Sequence, residues 1–154
     1  MLKKTFALIF IVFLSSCGYE AIHSKKNSIN YNFSIDSLTF NDNGEINLKI
    51  KEKLNKYTLN RLDRDFTLKV KTTNTKKVLA KNISGDPTGF ESSLIMAVEV
   101  ILDKKIKNNL LFTESFNYNN NINKSSLEMY EKEIKINLAE TVTNKLIYKL
   151  SNIR

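Results

Sequence analysis

The apolar residues Leu127, Tyr130, Ile134, Leu138, Val142, Leu146 and Leu150 follow one another at a spacing of three and then of four throughout. That spacing places all of them on one stripe of an α-helix, and no Pro or Gly interrupts the run before Arg154. Mixed charge, including Glu131, Lys135, Glu140 and Lys145, fills the remaining surface. A helix with one apolar stripe draws most of its stability from tertiary burial. The chain must therefore build a second layer for this stripe to lie on. Ser125-Ser126-Leu127-Glu128 supplies the Ser-x-x-Glu spacing of a capping box at the start of the helix.

The second layer is legible as strands. Tyr31, Phe33 and Ile35 alternate with polar residues, and Leu38 and Phe40 resume the alternation in the opposite phase, which predicts a bulge near Ser37. Asp42 and Glu45 have capping-box spacing ahead of a first helix, whose apolar face is Ile46, Ile50, Leu54 and Tyr57 and whose other faces are rich in Lys. Residues 60–65 form a charged connection. Phe66, Leu68 and Val70 alternate with Thr67, Lys69 and Lys71 as a strand with one wet face. Residues 72–77 are expected to form a polar turn, and 78–83 a short returning strand. After the Gly- and Pro-dense loop 85–89, residues 90–102 carry Leu94, Met96, Val98, Val100 and Leu102 in one phase and Ile95, Ala97 and Ile101 in the other, largely apolar one, which predicts a central strand covered on both sides. Residues 103–109 turn the chain, and Leu110, Phe112, Phe116 and Tyr118 mark an antiparallel partner, with Glu114 its odd polar member. An Asn-rich loop, 117–124, leads to the long helix. The expected architecture is α+β: an antiparallel or mixed sheet of about four strands with two helices packed on one face.

At 154 residues the chain has room for one such domain. Its single Cys rules out an internal disulfide framework and a multi-cysteine zinc site, and its single His removes paired imidazoles. That Cys has a particular place. Lys3 and Lys4 precede nine consecutive apolar residues, Phe6 to Leu14, too few to span a bilayer and of the size of a signal-peptide core. The string Leu14-Ser15-Ser16-Cys17-Gly18 resembles the bacterial lipobox, which is cut immediately before the cysteine. The resemblance implies a diacylglyceryl thioether on Cys17 and acylation of its freed amino group, and two or more chains anchor a protein firmly. The Asp that retains many enterobacterial lipoproteins at the inner membrane is absent after Cys17, so the outer membrane is the expected location. The organisation expected is a leader over 1–16, a lipidated N-terminus and tether over 17–30, and a single domain over 31–154.

Little in the sequence points to catalysis. His23 and Ser24 lie in a polar tether that cannot hold a triad in fixed geometry. The carboxylate pairs Glu131/Glu133 and Asp63/Asp65 are two residues apart, a spacing that splays them on a helix. Phosphate-binding glycine loops, HExxH and EF-hand patterns are missing. No enzyme activity, cofactor or metal site is expected. The formal charge is +8, carried by 24 basic residues against 16 acidic ones, and removal of Lys3 and Lys4 with the leader lowers it to +6. All but three of the basic residues are Lys, and they stand beside twenty Asn, a usage that compositional bias explains in large part. What remains is a candidate site for an anionic, phosphate-bearing ligand at Lys69, Lys71, Lys76 and Lys77. Lys69 and Lys71 share one strand face, about 7 Å apart. Lys at such positions also protects an edge strand from aggregation. Phe112, Phe116 and Tyr118 resemble a base-stacking platform, but export makes nucleic acid an unlikely partner.

Three stretches resemble the LPS-assembly lipoprotein (LptE) family, and within it the shorter, alphaproteobacterial-type members. They are Leu14-Ser15-Ser16-Cys17-Gly18-Tyr19, then Asp86-Pro87-Thr88 leading into Leu94-Ile95-Met96-Ala97-Val98-Glu99-Val100, and lastly Met129-Tyr130-Glu131-Lys132-Glu133-Ile134 continuing to Leu138-Ala139-Glu140. The turn at Asp103-Lys104 lacks the Asp-Gly often found between the family's two long strands, and of the site residues only Cys17 carries over. The resemblance implies an outer-membrane lipoprotein seated in the lumen of the LPS-transport β-barrel, LptD, where it helps the barrel fold and helps LPS reach the cell surface. In that setting its lysines would meet lipid A phosphates or acidic barrel residues. The alternative from the same residues is an auxiliary lipoprotein of an envelope lipid-transport ABC system, and a purely structural envelope protein is a third reading.

Overall fold

The computed structural model describes residues 32–42 and 44–153. The leader, Cys17, the tether and Tyr31 lie outside the described residues. The elements are β1 (Ser34–Phe40), α1 (Glu45–Leu54) with a 3-10 turn at Asn55–Tyr57, β2 (Asp65–Lys81), β3 (Pro87–Leu102), β4 (Lys105–Asn119) and α2 (Lys124–Ser151). The strands form one mixed sheet in the order β1-β2-β3-β4, parallel between β1 and β2 and antiparallel thereafter. The α+β architecture, with two helices on one face of a four-stranded sheet, is as the sequence predicts.

The core lies between that face and the helices. Phe66, Leu68, Val70, Phe90, Leu94, Met96, Val98 and Val100 rise from the sheet to meet Ile50 and Leu54 of α1 and Ile134, Leu138, Ala139, Val142, Leu146 and Leu150 of α2, all of them buried. In β1, Ile35 stands opposite Phe66, and Leu38 opposite Leu68, so one extra residue is accommodated around Asp36. This bulge is the one the reversed phase predicts, and it returns Leu38 and Phe40 to the helix side. Ion pairs Lys132–Glu45 at 2.8 Å and Lys49–Glu140 at 3.6 Å run in the same order along both helices, so α1 and α2 lie side by side and parallel.

Several local expectations give way to tertiary structure. Residues 72–77 are not a turn. They continue β2, each paired to β3, from Thr72 opposite Met96 to Lys77 opposite Glu91. Their helix-side members are polar because they meet polar groups of the helices, Thr72 at Asn47 and Lys76 at Glu131, and the Thr residues among them suit a strand. The reversal comes at 82–86, where Gly85 takes a φ of 89° and the Asn82 carboxamide oxygen accepts from Asp86 N at 2.8 Å. β3 is central but covered on one side only: Ile95, in its second phase, is exposed. The turn expected over 103–109 contracts to Asp103-Lys104, with φ of 52° and 62°, the left-handed pair a two-residue hairpin needs.

Neither helix starts with the expected capping box. Gly44 caps α1, and the Asp42 carboxylate instead accepts from Gly44 N at 2.7 Å and from Asn47 Nδ2 at 2.8 Å. Asn47 is buried, and its Oδ1 accepts from Thr72 Oγ1 at 2.7 Å, tying the start of α1 to β2. At α2 the cap is Asn123, whose side chain accepts from Ser126 N at 3.1 Å.

Two substitutions check this packing. Lys104→Gly relieves a side chain in the left-handed region and should raise stability by about 1 kcal/mol in urea unfolding. Leu146→Ala empties a fully buried site beneath α2 and should lower it by about 2–5 kcal/mol.

Candidate functional site

Strand alternation sends every second residue of β2, β3 and β4 away from the helices. Cross-strand register sorts these residues into rows: Lys69 with Glu99 and Asn109, Lys71 with Ala97 and Leu111, Thr73 with Ile95 and Thr113, Thr75 with Ser93 and Ser115, and Lys77 with Glu91 and Asn117. Apart from Lys71 the middle rows are small, β-branched or apolar, and both end rows carry charge. Leu111 is 70% exposed and Ile95 37%. Among the described residues no element covers this face. It is a broad, open surface with an apolar strip of Ile95, Ala97 and Leu111, suited to contact with another macromolecule rather than to enclosing a small substrate.

The four lysines singled out in the sequence divide over both sides of the sheet. Lys69, Lys71 and Lys77 stand on the bare face. Lys69 Nζ lies 2.7 Å from Glu99 Oε1, the lysine exposed and the carboxylate mostly covered. Lys71 and Lys77 have no ion-pair partner among the described residues, and six strand positions, roughly 20 Å, separate them. One phosphate cannot bridge that distance. Lys76 points to the helix side, where its Nζ sits 4.0 Å from the centre of the Phe90 ring and pairs with Glu131.

Lys76 belongs to a cluster that sequence reasoning missed. Glu131 Oε1 accepts from the Tyr118 hydroxyl at 2.9 Å, and Tyr118 packs on Phe90 and edge-on to Tyr130. Burial, and then the neighbouring carboxylate, push the Tyr118 phenol well above its ordinary value, so it remains a donor at any physiological pH. The cluster pins the first turns of α2 to the far end of the β2–β3–β4 sheet. The parity of Lys76 with Phe66, Leu68 and Val70 is the signal that places it there, once 72–77 is taken as strand. Phe116 and Tyr118 also face the helices, Tyr118 buried, so they form no open stacking platform.

The opposite end is held by arginine. The Arg61 guanidinium spans Asp65 and Asp36, 2.8 Å from each, while Ser34 Oγ donates to Asp65 at 2.7 Å. Burial pushes the Asp65 carboxyl up, but the hydrogen bonds from Arg61 and Ser34 and the Arg61 charge outweigh it and hold the group below its ordinary value. Arg64 donates to the Asn32, Ser151 and Ile153 carbonyls, joining the entry of the domain to the end of α2.

No family model and no curated protein matches the sequence. In three dimensions the chain is similar to rare lipoprotein B from Shewanella oneidensis, with a TM-score of 0.59 at 16% identity over 77% of this chain and 97% of that one. It is similar to a minor lipoprotein from Acinetobacter baumannii, with a TM-score of 0.60 at 13% identity over 79% and 91% of the two chains. Lipoprotein B from Nitrosomonas europaea gives a TM-score of 0.51 at 12% identity over 79% and 85%. The domain therefore has the α+β sandwich fold of these bacterial lipoproteins. At such identities the fold is what is shared.

Two measurements test these locks. Glu131→Leu strands the buried Tyr118 hydroxyl and should cost about 1–3 kcal/mol, a loss that adding Tyr118→Phe should partly recover. Because the Asp65 pKa is lowered by folding, its contribution is complete at neutral pH and is lost as pH falls through the depressed value. The urea midpoint should therefore drop below about pH 4, and Asp65→Asn should flatten that drop.

Proposed function

We propose that this protein is a lipid-anchored outer-membrane lipoprotein that serves as plug and assembly partner of the LPS-transport β-barrel. The observation that carries the proposal is the bare sheet face, a large contact surface with an apolar strip and charged ends on a domain with the fold of bacterial lipoproteins. The lipobox-like string ending at Cys17 and the stretches similar to the LptE family support the same reading. A small, well-packed α+β body is of a kind that fills a wide barrel with a polar interior. The barrel LptD is the partner, and the acyl chains on Cys17 hold the domain at the periplasmic leaflet. Lys71 and Lys77, free of ion pairs among the described residues, are the charges available to lipid A phosphates or to acidic barrel residues. Binding and positioning account for this role, with no bond made or broken by the protein.

Two experiments check it. A C-terminal tag on the full chain, used to purify it from detergent-solubilised outer membrane, should bring down one large β-barrel in stoichiometric amount. Recovery of the chain alone would overturn the plug, and recovery with inner-membrane transporter subunits would favour the auxiliary transport role. Cys17→Ser should abolish radiolabelled palmitate incorporation and release the chain from the membrane pellet.

A further inference from the structure

β4 ends the sheet, pairing with β3 on one side and with no strand on the other among the described residues. The other edge, β1, is short, bulged and closed off by the Arg61–Asp36 ion pair. β4 has none of these protections where it matters. Its 15 residues pair with β3 without irregularity from Asn119 back to Asn108. Over its central part, Leu110 to Phe116, it carries no Pro and a single charge, Glu114, already engaged by Lys145. A long, apolar, unprotected edge of this kind is a template for one more strand.

A groove of about 290 Å³ runs beside this edge, between β4 and α2. Phe116, Tyr130, Ile134 and Leu138 form its apolar wall, and Glu133 stands at its rim with no ion pair among the described residues. Its volume suits one bulky side chain. A strand added to β4 sends alternate side chains toward α2, into this groove, while its backbone satisfies the free edge. We infer that the β4 edge and the β4–α2 groove together form a strand-addition site for an extended segment of a partner polypeptide, one with an apolar side chain and, two residues away on the same face, a Lys or Arg for Glu133. A second copy of β4 fits poorly, since its residues on that face from Leu110 to Tyr118 include no Lys or Arg to meet Glu133. The site lies on a different surface from the bare face and does not depend on the barrel assignment.

The test uses the full chain in detergent and a fluorescein-labelled nonapeptide, Ser-Thr-Val-Thr-Leu-Thr-Lys-Thr-Ser. Anisotropy should rise saturably below about 1 mM peptide, and amides 110–116 should gain hydrogen-exchange protection when it binds. Phe116→Lys, at a half-exposed position, should weaken binding by about tenfold, and Glu133→Lys should weaken it while strengthening binding of the same peptide with Glu in place of its Lys. Absence of saturable binding, binding without protection of 110–116, or indifference to Glu133→Lys would each overturn the inference. So would a concentration-dependent dimer that protects the same amides without peptide.

Discussion

α2 lies across the sheet with Ala139, Val142, Leu146 and Leu150 fully out of water, above a floor of Leu94, Met96, Val98 and Val100. This contact uses one side of the sheet only, and the remaining features follow from that. With α1 laid parallel to α2 on the same side, every apolar helix stripe is satisfied by a single face. The other face needs no core residues for folding and is available for contact. A two-layer sandwich of this size has no interior to spare for a deep site, so its functional surface has to be an outer one.

The two ends of the sandwich are secured by different chemistry. At the end where β1 and β2 begin, Arg61 and Arg64 draw together Asp36, Asp65 and the carbonyls that finish α2. Guanidinium groups can hold several oxygens in fixed directions, which lysine cannot do. Among the described residues these are the two arginines, and both serve this corner. At the far end, Tyr118, Glu131 and Lys76 combine aromatic packing with a charged hydrogen bond to hold the start of α2. The long strands are thus clamped at both extremities while their outer face stays bare.

Much of this was legible in the residues. The stripe from Leu127 to Leu150, the phase reversal at Ser37 and the alternation in β4 correctly mark the long helix, the bulge and the antiparallel partner of β3, because each is a local pattern set by one buried face. Three features were not. Residues 72–77 look like a loop because their helix-side members, Thr72, Asn74 and Lys76, are polar, and only pairing with β3 reveals them. Asp103-Lys104 lacks the Gly that marks a tight hairpin, yet long flanking strands force the turn. Ile95 and Ala97 suggested burial on both sides of β3, whereas the second covering layer does not come from the described residues. For the candidate site, the pairing of Lys69 and Lys71 on one face was visible, but the separation of Lys76 from them depended on knowing that the strand continues.

The proposed role requires the bare face of the sheet to be the surface that another macromolecule covers. A photo-crosslinking phenylalanine analogue in place of Ile95, at the middle of that face and away from either edge, tests it in intact cells. One dominant adduct, with a large outer-membrane β-barrel, is the expected result. Persistence of uncrosslinked chain alone, or adducts only with inner-membrane components, would contradict it.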